Sequence, residues 1–435
     1  KELGMTVIIT DHHEVPFEET EKGKKVFQVP IADAVVNPKQ EDCSYPFKGL
    51  CGAAVAFKLV QVLYEEMGFP KEEAMTYLEN AAFATVGDVM ELIGENRILV
   101  KEGLKALNQT KNYGMRALAI RNQIEFGKIK SYHIGFILGP CLNASGRLDT
   151  AKRALELLLA ENEYQATTYA GDLYDLNVSR KEMTEQGILK AKEMVEHTEL
   201  KRDKVLVIYL PDCHESLAGI IAGRIREQYH RPVFVLTKSE EGVKGSGRSI
   251  ENYSMYEEMS KCKELFTKFG GHPMAAGLSL PEEHVELFRR KLNENTSLTD
   301  EDLLGKIVID VPMPIDYISK QLIEELNLLE PFGKSNEKPV FADKNLHILA
   351  IKVFGKTNNV CRMQVQSQSG MILNAIYFGN TELFLEFLQQ KYGTKALELT
   401  KLGKDGGIYA SFVYYPEINR YNGKESLQII VKNYC

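Results

Sequence analysis

An apolar run near the start of the chain stops abruptly at three polar residues. Residues 5–10 read MTVIIT, without alternation of polar and apolar side chains. Such a run predicts a strand covered on both faces, as in a parallel sheet. Asp11, His12 and His13 follow at once. Because open α/β sheets bind ligands beyond the carboxyl ends of their strands, these three residues are predicted to form a functional site rather than a polar turn.

Composition narrows the class of protein. The 435 residues, 44% of them apolar and 26% charged, suggest a soluble chain of two to four domains. We find neither a secretory start nor an apolar stretch near the ~18 residues of a membrane span. Seven cysteines without a Cys-x-x-Cys pair favour free thiols in the cytoplasm. The net charge of -7 gives no sign of a nucleic-acid partner, although residues 330–435 carry 13 Lys and Arg against 9 Asp and Glu.

The first residues, KELG, are typical of the last turn of a helix that ends at a C-cap glycine, Gly4. A helix end that leads into a buried strand implies earlier elements. We therefore expect this chain to be a fragment whose N-terminal part is missing.

Alternating strand and helix patterns over residues 1–149 predict a doubly wound α/β domain. Residues 150–198 show only helical, highly charged sequence, which predicts a long connecting helix. A second α/β domain is expected over 203–300. In it, GVKGSGRS is predicted to form a glycine-rich strand and turn, and residues 254–269 a helix.

From residue 306 to 435 the pattern changes to short β segments interrupted by one helix at 382–392. About five strands with one inserted helix predict an OB-like barrel, which could bind nucleic acid or serve as a dimerisation or spacer module. Five aromatic residues are candidates for stacking on bases, although core packing is the favoured role for any one of them. They are Tyr409, Phe412, Tyr414, Tyr415 and Tyr421.

Other chemistry-bearing residues occur in glycine-containing motifs. Asp88 follows an apolar, strand-like stretch, where a helix N-cap is the alternative to a ligand. Arg147 lies in GPCLNASGRLDTA, which predicts a tight turn suited to phosphate, or a structural pair with Asp149. A second Ser-Gly-Arg sequence contains Ser246 and Arg248.

One further motif, GGHPMAAGL, places His272 after two glycines, which permit close approach of a ligand. Two Ser-Gly-Arg sequences and this one in a single chain are difficult to explain by packing alone. The combination points to phosphate binding.

These motifs together resemble the DHH phosphoesterase superfamily with its DHHA1 domain. The resemblance rests on TDHH, TVGDVMEL, LNASGRLDTA, GSGRS and GGHPMAAGL, in the superfamily's order. EPFGKSNEKPVF and PEINRYNGKESLQIIV resemble the β domain of the RecJ family of single-strand-specific DNA exonucleases. The likeness covers essentially the whole chain.

The resemblance implies a Mn²⁺- or Mg²⁺-dependent 5′→3′ exonuclease that acts on single-stranded DNA in repair and recombination. His12 and Asp88 would be metal ligands, His13 would lie beside the substrate phosphate, and Asp11 would orient its neighbours. Phosphates would be held by Arg147, Ser246, Arg248 and His272. The implied partners, besides single-stranded DNA, are a single-strand-binding protein and a helicase.

The family also has an Asp-x-Asp motif and a further Asp upstream of its DHH sequence, and neither occurs in that place here. Two ligands cannot hold the two ions of the intact parent, so we expect this fragment to be weakly active or inactive. Two other functions stay open. One is a phosphodiesterase for oligonucleotides or cyclic dinucleotides, and the other is a non-catalytic single-strand-binding protein.

Overall fold

A computed structural model describes residues 3–19, 24–240, 242–355, 358–421 and 423–435. The strands in these ranges are β1 Ile8–Thr10, β2 Phe17–Glu19, β3 Lys25–Phe27, β4 Ala34–Val36, β5 Leu206–Tyr209, β6 Val233–Ser239, β7 Gly242–Arg248, β8 Lys268–His272, β9 Ala275–Leu280, β10 Val311–Pro312, β11 Phe341–Phe354, β12 Val360–Gln366, β13 Ile372–Tyr377, β14 Tyr409–Tyr421 and β15 Lys424–Tyr434.

The α-helices of the same residues are α1 Gly52–Glu66, α2 Lys71–Ala74, α3 Leu78–Gly87, α4 Gly94–Leu107, α5 Tyr113–Arg121, α6 Ser131–His133, α7 Gly139–Leu148, α8 Lys152–Leu158, α9 Glu163–His197, α10 Ala218–Tyr229, α11 Met255–Ser260, α12 Val285–Asn295, α13 Lys320–Asn327, α14 Thr381–Tyr392 and α15 Thr394–Lys401. A π-helical turn, Ile134–Leu138, joins α6 to α7, and short 3₁₀ turns occur elsewhere. No helix among the described residues is both long and apolar enough to cross a bilayer.

The chain forms two compact units. The terminal unit contains Lys1–Ala106, Lys130–Tyr132 and Ile307–Cys435, and the central unit contains Leu107–Ile129 and His133–Lys306. These units group the chain differently from the four sequence-based domains (1–149, 150–198, 203–300 and 306–435), which remain predictions.

In the terminal unit, β1 pairs in parallel with β4, with Ile8 opposite Ala34. The parallel pairing was expected, but the strand is shorter than residues 5–10 and is not covered on both faces. Ile8 is 60% exposed, and β4 is the only described strand that pairs with β1. Of the helical turn predicted at residues 1–4, Lys1 and Glu2 lie outside the described residues, and Gly4 has φ +71°.

The segment before Asp88 is a helix and not a strand. In α3, the buried side chains Leu78, Ala81, Ala82 and Thr85 recur at helical spacing and face the core with α1. Asp88 is the residue at which this helix ends. The predicted strand-like stretch and the N-cap alternative are therefore both wrong, because the apolar run is Ala-rich and has the period of a helix.

The end of the terminal unit is the predicted OB-like barrel. The strands form a closed ring in the order β11, β12, β13, β15, β14 and back to β11, with β10 added at the edge of β11. Every pairing in the ring is antiparallel except β13 with β15. The helix expected at 382–392 is α14, and α15 follows it before β14. The inward side chains form one apolar core with α14.

The segment before the barrel joins it to the helical part of the same unit. The backbone N–H of Leu92 donates to the carbonyl of Lys334 at 2.8 Å, and Arg97 Nη2 donates to the carbonyl of Leu329 at 2.8 Å. A Cβ on Gly333 would lie 2.6 Å from Leu92 Cδ1. The EPFGKSN motif thus connects the barrel to the helical part of the unit, and its glycine, Gly333, permits close contact with Leu92.

The central unit contains a five-stranded sheet in the order β5, β6, β7, β9, β8. β5 and β6 are parallel and joined through α10, and the remaining pairs are antiparallel. Apolar residues from α9 and α10 pack with alternate residues of β5 and β6, including Val233 and Val235. The other residues of these strands, such as Phe234, pack with α11 and α12. This is the second α/β domain that the sequence predicts.

Three local predictions in this unit are wrong. Residues 139–148, expected as a turn, form α7, because their buried residues Cys141, Ala144 and Ser145 share one helical face. The predicted helix 254–269 ends at Ser260, and its last residues belong to β8. The strand expected in GVKGSGRS is β7, but the turn expected at the Ser-Gly-Arg sequence is wrong, because β7 runs through residues 246–248.

The long helix predicted within residues 150–198 is α9, which runs from Glu163 to His197 and follows a separate short helix, α8, at Lys152–Leu158. It is not a solvated strut, since small residues such as Ala166, Ala170 and Ala191 are buried along its length. Its neighbours include α5, α7, α8 and α10. The charged residues hide this buried stripe in the sequence because they occupy the remaining helix surface.

Candidate functional site

The DHH residues lie directly after β1, as expected. The backbone N–H of Asp11 donates to Val36 of β4 at 3.0 Å, so Asp11 continues the parallel pairing. One oxygen of its carboxylate, Oδ1, accepts from the backbone N–H of His12 at 2.7 Å and of His13 at 3.2 Å. The same oxygen lies 2.6 Å from His13 Nδ1. Asp11 therefore forms hydrogen bonds with both of its histidine neighbours, and its role in orienting them for catalysis stays a prediction.

The bond from the His13 imidazole is the main reason that the pKa of Asp11 falls below its usual value, with the two backbone N–H groups adding to the effect. Asp11 thus stays ionised and able to accept these bonds at neutral pH. Asn37, which sequence analysis missed, donates to the carbonyl of His13 at 2.9 Å and fixes the loop from the β4 side.

The structure brings His12 and Asp88 together. His12 Nε2 lies 3.8 Å from Asp88 Oδ2, although 76 positions separate the two residues in the chain. His12 lies against α1, where a Cβ on Gly52 would be 3.4 Å from its Cδ2. The Asp88 side chain is 53% exposed at the end of α3. Gly52 was also missed, because its role depends on packing and not on a motif.

The pair fits part of a divalent-cation site. Metal–ligand bonds of about 2.1 Å allow one ion to contact both atoms across 3.8 Å. Imidazole and carboxylate are ligands suited to Mn²⁺, and carboxylate to Mg²⁺. In the described part of the chain, no cluster of three or more His, Cys, Asp or Glu side chains is placed to hold an ion. These residues thus offer two ligands for one ion.

In the central unit, two arginines from distant motifs meet one segment. Arg147, in the last turn of α7, donates from Nη1 to the carbonyl of Ser216 at 2.7 Å. Three residues later, a Cβ on Gly219 would lie 2.8 Å from Arg248 Nη2 and 3.0 Å from Ser246 Oγ. Arg147, Ser246 and Arg248 therefore converge at residues 216–219, where α10 begins.

The alternative pairing of Arg147 with Asp149 is wrong, since the Asp149 carboxylate pairs with Arg153 in the next turn. Arg248 Nη1 donates to Ser246 Oγ at 3.1 Å and to the carbonyl of Gly247 at 2.7 Å. Its pKa is lowered, first by burial and then by the positive charge of Arg147. A cation that is disfavoured in this way predicts an anionic ligand.

His272 lies on the same face of the sheet as these residues. Across β7, β9 and β8, Arg248 is opposite Ala275, which is opposite His272. One row further along β7, Ser246 is opposite Gly277, which is opposite Gly270. Directly opposite residues project from the same face of a sheet. These two rows of residues therefore form one continuous surface, with small side chains on its central strand, β9.

The next row contains Lys244, Ser279 and Lys268. The last two rows line a cleft of about 540 Å³ beside Glu215 and Ser216. This cleft, which sequence analysis missed, extends the face from Arg248 and His272 toward two lysines. Its shape results from the glycines of the KGSGRS and GGHPMAAGL motifs, which leave the floor without side chains.

The barrel aromatic residues divide into two groups. Phe412 and Tyr414 are buried in the barrel core, so the favoured prediction of core packing is confirmed for them and they are not stacking platforms. Tyr421 is 71% exposed, and the ring of Tyr409 stacks on His347 with centroids 4.6 Å apart. Tyr415 is partly buried beneath Lys338 Nζ at 4.4 Å. Alternation along β14 decides which residues face the core.

Comparison with known proteins agrees with this architecture. Residues 1–86 match the family described as the DHH family, N-terminal domain, residues 202–297 match the DHHA1 domain, and residues 309–433 match the RecJ OB domain. A crystal structure of RecJ in complex with Mn²⁺ from Thermus thermophilus matches with a TM-score of 0.80 at 25% identity. That match covers 100% of this chain and 58% of the other.

Two curated relatives match the whole of this chain. The single-stranded-DNA-specific exonuclease RecJ of Bacillus subtilis is 34% identical over 437 residues, and this chain covers 51% of it. The RecJ protein of Escherichia coli is 33% identical over 456 residues, with 74% of its length covered. The chain thus spans from about half to three quarters of the length of these relatives. It belongs to the RecJ family of the DHH phosphoesterases.

Proposed function

We propose that this chain is the part of a metal-dependent single-stranded-DNA exonuclease that contains DHH, DHHA1 and OB domains. The proposal assigns it hydrolysis of phosphodiester bonds from the 5′ end, with roles in repair and recombination. The observation that supports it most directly is the approach of His12 Nε2 to Asp88 Oδ2 at 3.8 Å. Family membership supplies the substrate class and the direction.

In the terminal unit, His12 and Asp88 would ligate Mn²⁺ or Mg²⁺. A bound ion of this kind supplies an activated water and stabilises charge on the phosphate oxygens. Asp11 keeps both histidines oriented through its three hydrogen bonds. His13 would donate toward a substrate phosphate, while Asn37 holds its backbone in place.

In the central unit, Arg147, Ser246 and Arg248 would bind substrate phosphates, with His272 at the edge of the same sheet face. Guanidinium groups pair with phosphate oxygens in a two-pronged manner, and they are in place before substrate arrives because Ser216 and Ser246 hold them. None of these contacts reads a base, which accords with cleavage independent of sequence.

The barrel would hold the single strand by charge and stacking. Tyr409 and Tyr421 are exposed enough to meet a base, and Lys338 and Lys432 lie over the ring of Tyr415. This domain favours long strands over the dinucleotides that the alternative phosphodiesterase would cleave.

The decisive experiment follows release of mononucleotides from a 5′-phosphorylated single-stranded oligonucleotide, with protein in excess over DNA and Mn²⁺ present. We expect slow release by the chain and none by His12→Ala or Asp88→Ala, because each substitution removes one of two ligands. Adding a chelator should stop the reaction, and a dinucleotide should be a poorer substrate.

The matched control is His197→Ala, which removes an exposed imidazole at the end of α9 and should leave the rate unchanged. An equal rate in His12→Ala and the unsubstituted chain would refute the metal assignment. If the chain binds single strands but leaves them uncut under single-turnover conditions, the residues of this chain do not suffice for cleavage and the chain by itself acts as a single-strand-binding protein.

We also propose a cytoplasmic location and cooperation with a single-strand-binding protein and a helicase, since these protect or generate the single strands that such an enzyme consumes. The seven cysteines are all free thiols, which suits a reducing compartment.

A further inference from the structure

A small two-stranded hairpin follows the DHH residues in the terminal unit. Its strands, β2 and β3, are antiparallel, with Phe17 opposite Phe27. Among the described elements, each of these strands has its main contacts with the other. None of their residues belongs to the buried core, and an isolated hairpin of this size is marginally stable. The hairpin therefore adds little to the stability of the fold, and a binding role accounts for it better.

One face of the hairpin presents two aromatic rings. Phe17 and Phe27 share this face because they are directly opposite each other, and their ring centroids are 5.7 Å apart at an angle of 62°. The two residues are 46% and 37% exposed. An edge-to-face contact of this kind covers at most one face of each ring. Aromatic surface is thus left for a further planar group.

Lys25 adds a positive charge to the same surface. Its Nζ lies 4.3 Å from the centroid of the Phe17 ring. Proteins bind single-stranded nucleic acid with this combination of groups, since bases stack on the rings and the cation attracts the phosphate backbone. An apolar protein segment would use the rings alone. The hairpin surface is therefore suited to a partner that is both planar and anionic.

The base of the hairpin lies beside the proposed catalytic residues. Phe17 is four positions after His13 in the chain, a stretch that spans at most about 14 Å. The backbone N–H of Gln28 donates to the carbonyl of Pro16 at 2.7 Å, so the second strand returns to the same point. Asn37 fixes the His13 carbonyl at 2.9 Å. The two rings are thus within reach of nucleotides that adjoin a phosphate beside His13.

We propose that Phe17 and Phe27 form a stacking platform for one base of the single strand, close to the nucleotide whose phosphate lies beside His13. The inference rests on the proposed function for its substrate class. Lys25 would contact a phosphate next to the stacked base. Because every base has a π face, such a platform positions the strand without reading its sequence.

The test measures the affinity of the chain for 5′-phosphorylated single-stranded oligonucleotides, with a chelator present to keep them intact. One base at a time, counted from the 5′ end, is replaced by an abasic site. We expect one position at which loss of the base weakens binding by about fivefold or more. Phe27→Leu, which keeps an apolar side chain but removes the ring, should weaken binding of the intact strand to a similar extent and show no further loss with the abasic strand.

The matched control is Val26→Ala, which changes the opposite face of the same hairpin and should keep the dependence on the base. Phe27→Tyr, which retains a ring, should keep it as well. A 2-aminopurine base at the identified position gives an independent signal, because stacking on a ring quenches its fluorescence. We expect quenching by the unsubstituted chain and not by Phe27→Leu. Phe17→Leu repeats the test on the other ring if Phe27→Leu does not fold.

Equal affinities of the unsubstituted chain, Phe17→Leu and Phe27→Leu for the intact strand would overturn the proposal, and so would an equal loss in Val26→Ala. If the phenylalanine variants instead lose self-association in sedimentation, the hairpin binds a second copy of the chain and not DNA.

The nuclease assay separates this inference from the proposed function. Base-dependent binding without release of mononucleotides would remove the exonuclease function and keep the stacking platform. Release at the same rate by the unsubstituted chain and both leucine variants, without any dependence of binding on the base, would do the reverse.

Discussion

The residues proposed to bind phosphate in the central unit lie against one position without a side chain. Gly219 lies in the first turn of α10, against Arg248 Nη2 and Ser246 Oγ. A Cβ on Gly223, the next glycine of the same helix, would have no neighbouring atom within 4 Å. Alanine substitutions at the two glycines therefore distinguish crowding of Arg248 and Ser246 from the general effect of alanine on helix stability.

We expect Gly219→Ala to displace the Arg248 side chain and weaken binding of a single-stranded oligonucleotide severalfold, without loss of the fold. Replacing glycine by alanine inside a helix stabilises it by up to about 1 kcal/mol. Gly223→Ala should gain this stability and keep its DNA affinity. Fluorescence anisotropy and thermal unfolding measure the two properties, and equal DNA affinities in both variants would contradict the assigned contact.

At the scale of elements, α5 and α8 of the central unit pack so closely that only a glycine, which has a hydrogen in place of a side chain, fits where they meet. A Cβ on Gly114 of α5 would lie 1.9 Å from the carbonyl oxygen of Leu157 in α8. By contrast, a Cβ on Gly171 of α9 would have no neighbour within 4 Å. Both glycines lie within helices, so a comparison of them isolates the helix–helix contact.

Gly114→Ala should lower the free energy of unfolding by about 1–3 kcal/mol or more, as is typical of overpacking. The reason is that the backbone oxygen of Leu157 cannot move aside as a flexible side chain can. Gly171→Ala should raise it by up to about 1 kcal/mol. Urea unfolding of the two variants measures both changes. A neutral Gly114→Ala would show that α5 and α8 are less closely packed than this contact requires.

On the scale of the whole molecule, the pKa values of the buried cysteine thiols show how completely each hydrophobic core excludes water. Burial raises the pKa of Cys262 to about 11 and that of Cys361 to about 12, from a usual value of 9.0. These residues belong to the core of the central unit and to the barrel core, respectively. Cys435 is exposed at the end of the chain.

At pH 8 we expect iodoacetamide to label Cys435 first, with Cys262 and Cys361 protected until the chain unfolds, because the thiolate is the reactive form. Peptide mass spectrometry measures the labelling, and labelling in denaturant is the control. The same shifts predict that stability falls as pH rises above 9.0, since the unfolded thiols ionise there while the folded ones ionise only near pH 11 to 12. Rapid labelling of Cys361 in the native protein would contradict the closed barrel.

Features that depend on residue type and short spacing were predictable from the sequence. The polar residues after an apolar strand, the long helix and the strands of the barrel all follow from local periodicity and side-chain chemistry. Even here the local conformation of Arg147 and Ser246 was mistaken, because glycine and serine suit a turn while burial placed them in a helix and a strand.

Relations between distant residues were decided only by the tertiary structure. The approach of His12 to Asp88 and the meeting of Arg147 and Arg248 at residues 216–219 depend on how helices and strands pack. The same holds for Phe412 and Tyr414, whose burial follows from barrel closure. Sequence determined which groups could perform the chemistry. Packing, which acts between residues far apart in the chain, decided which of them meet.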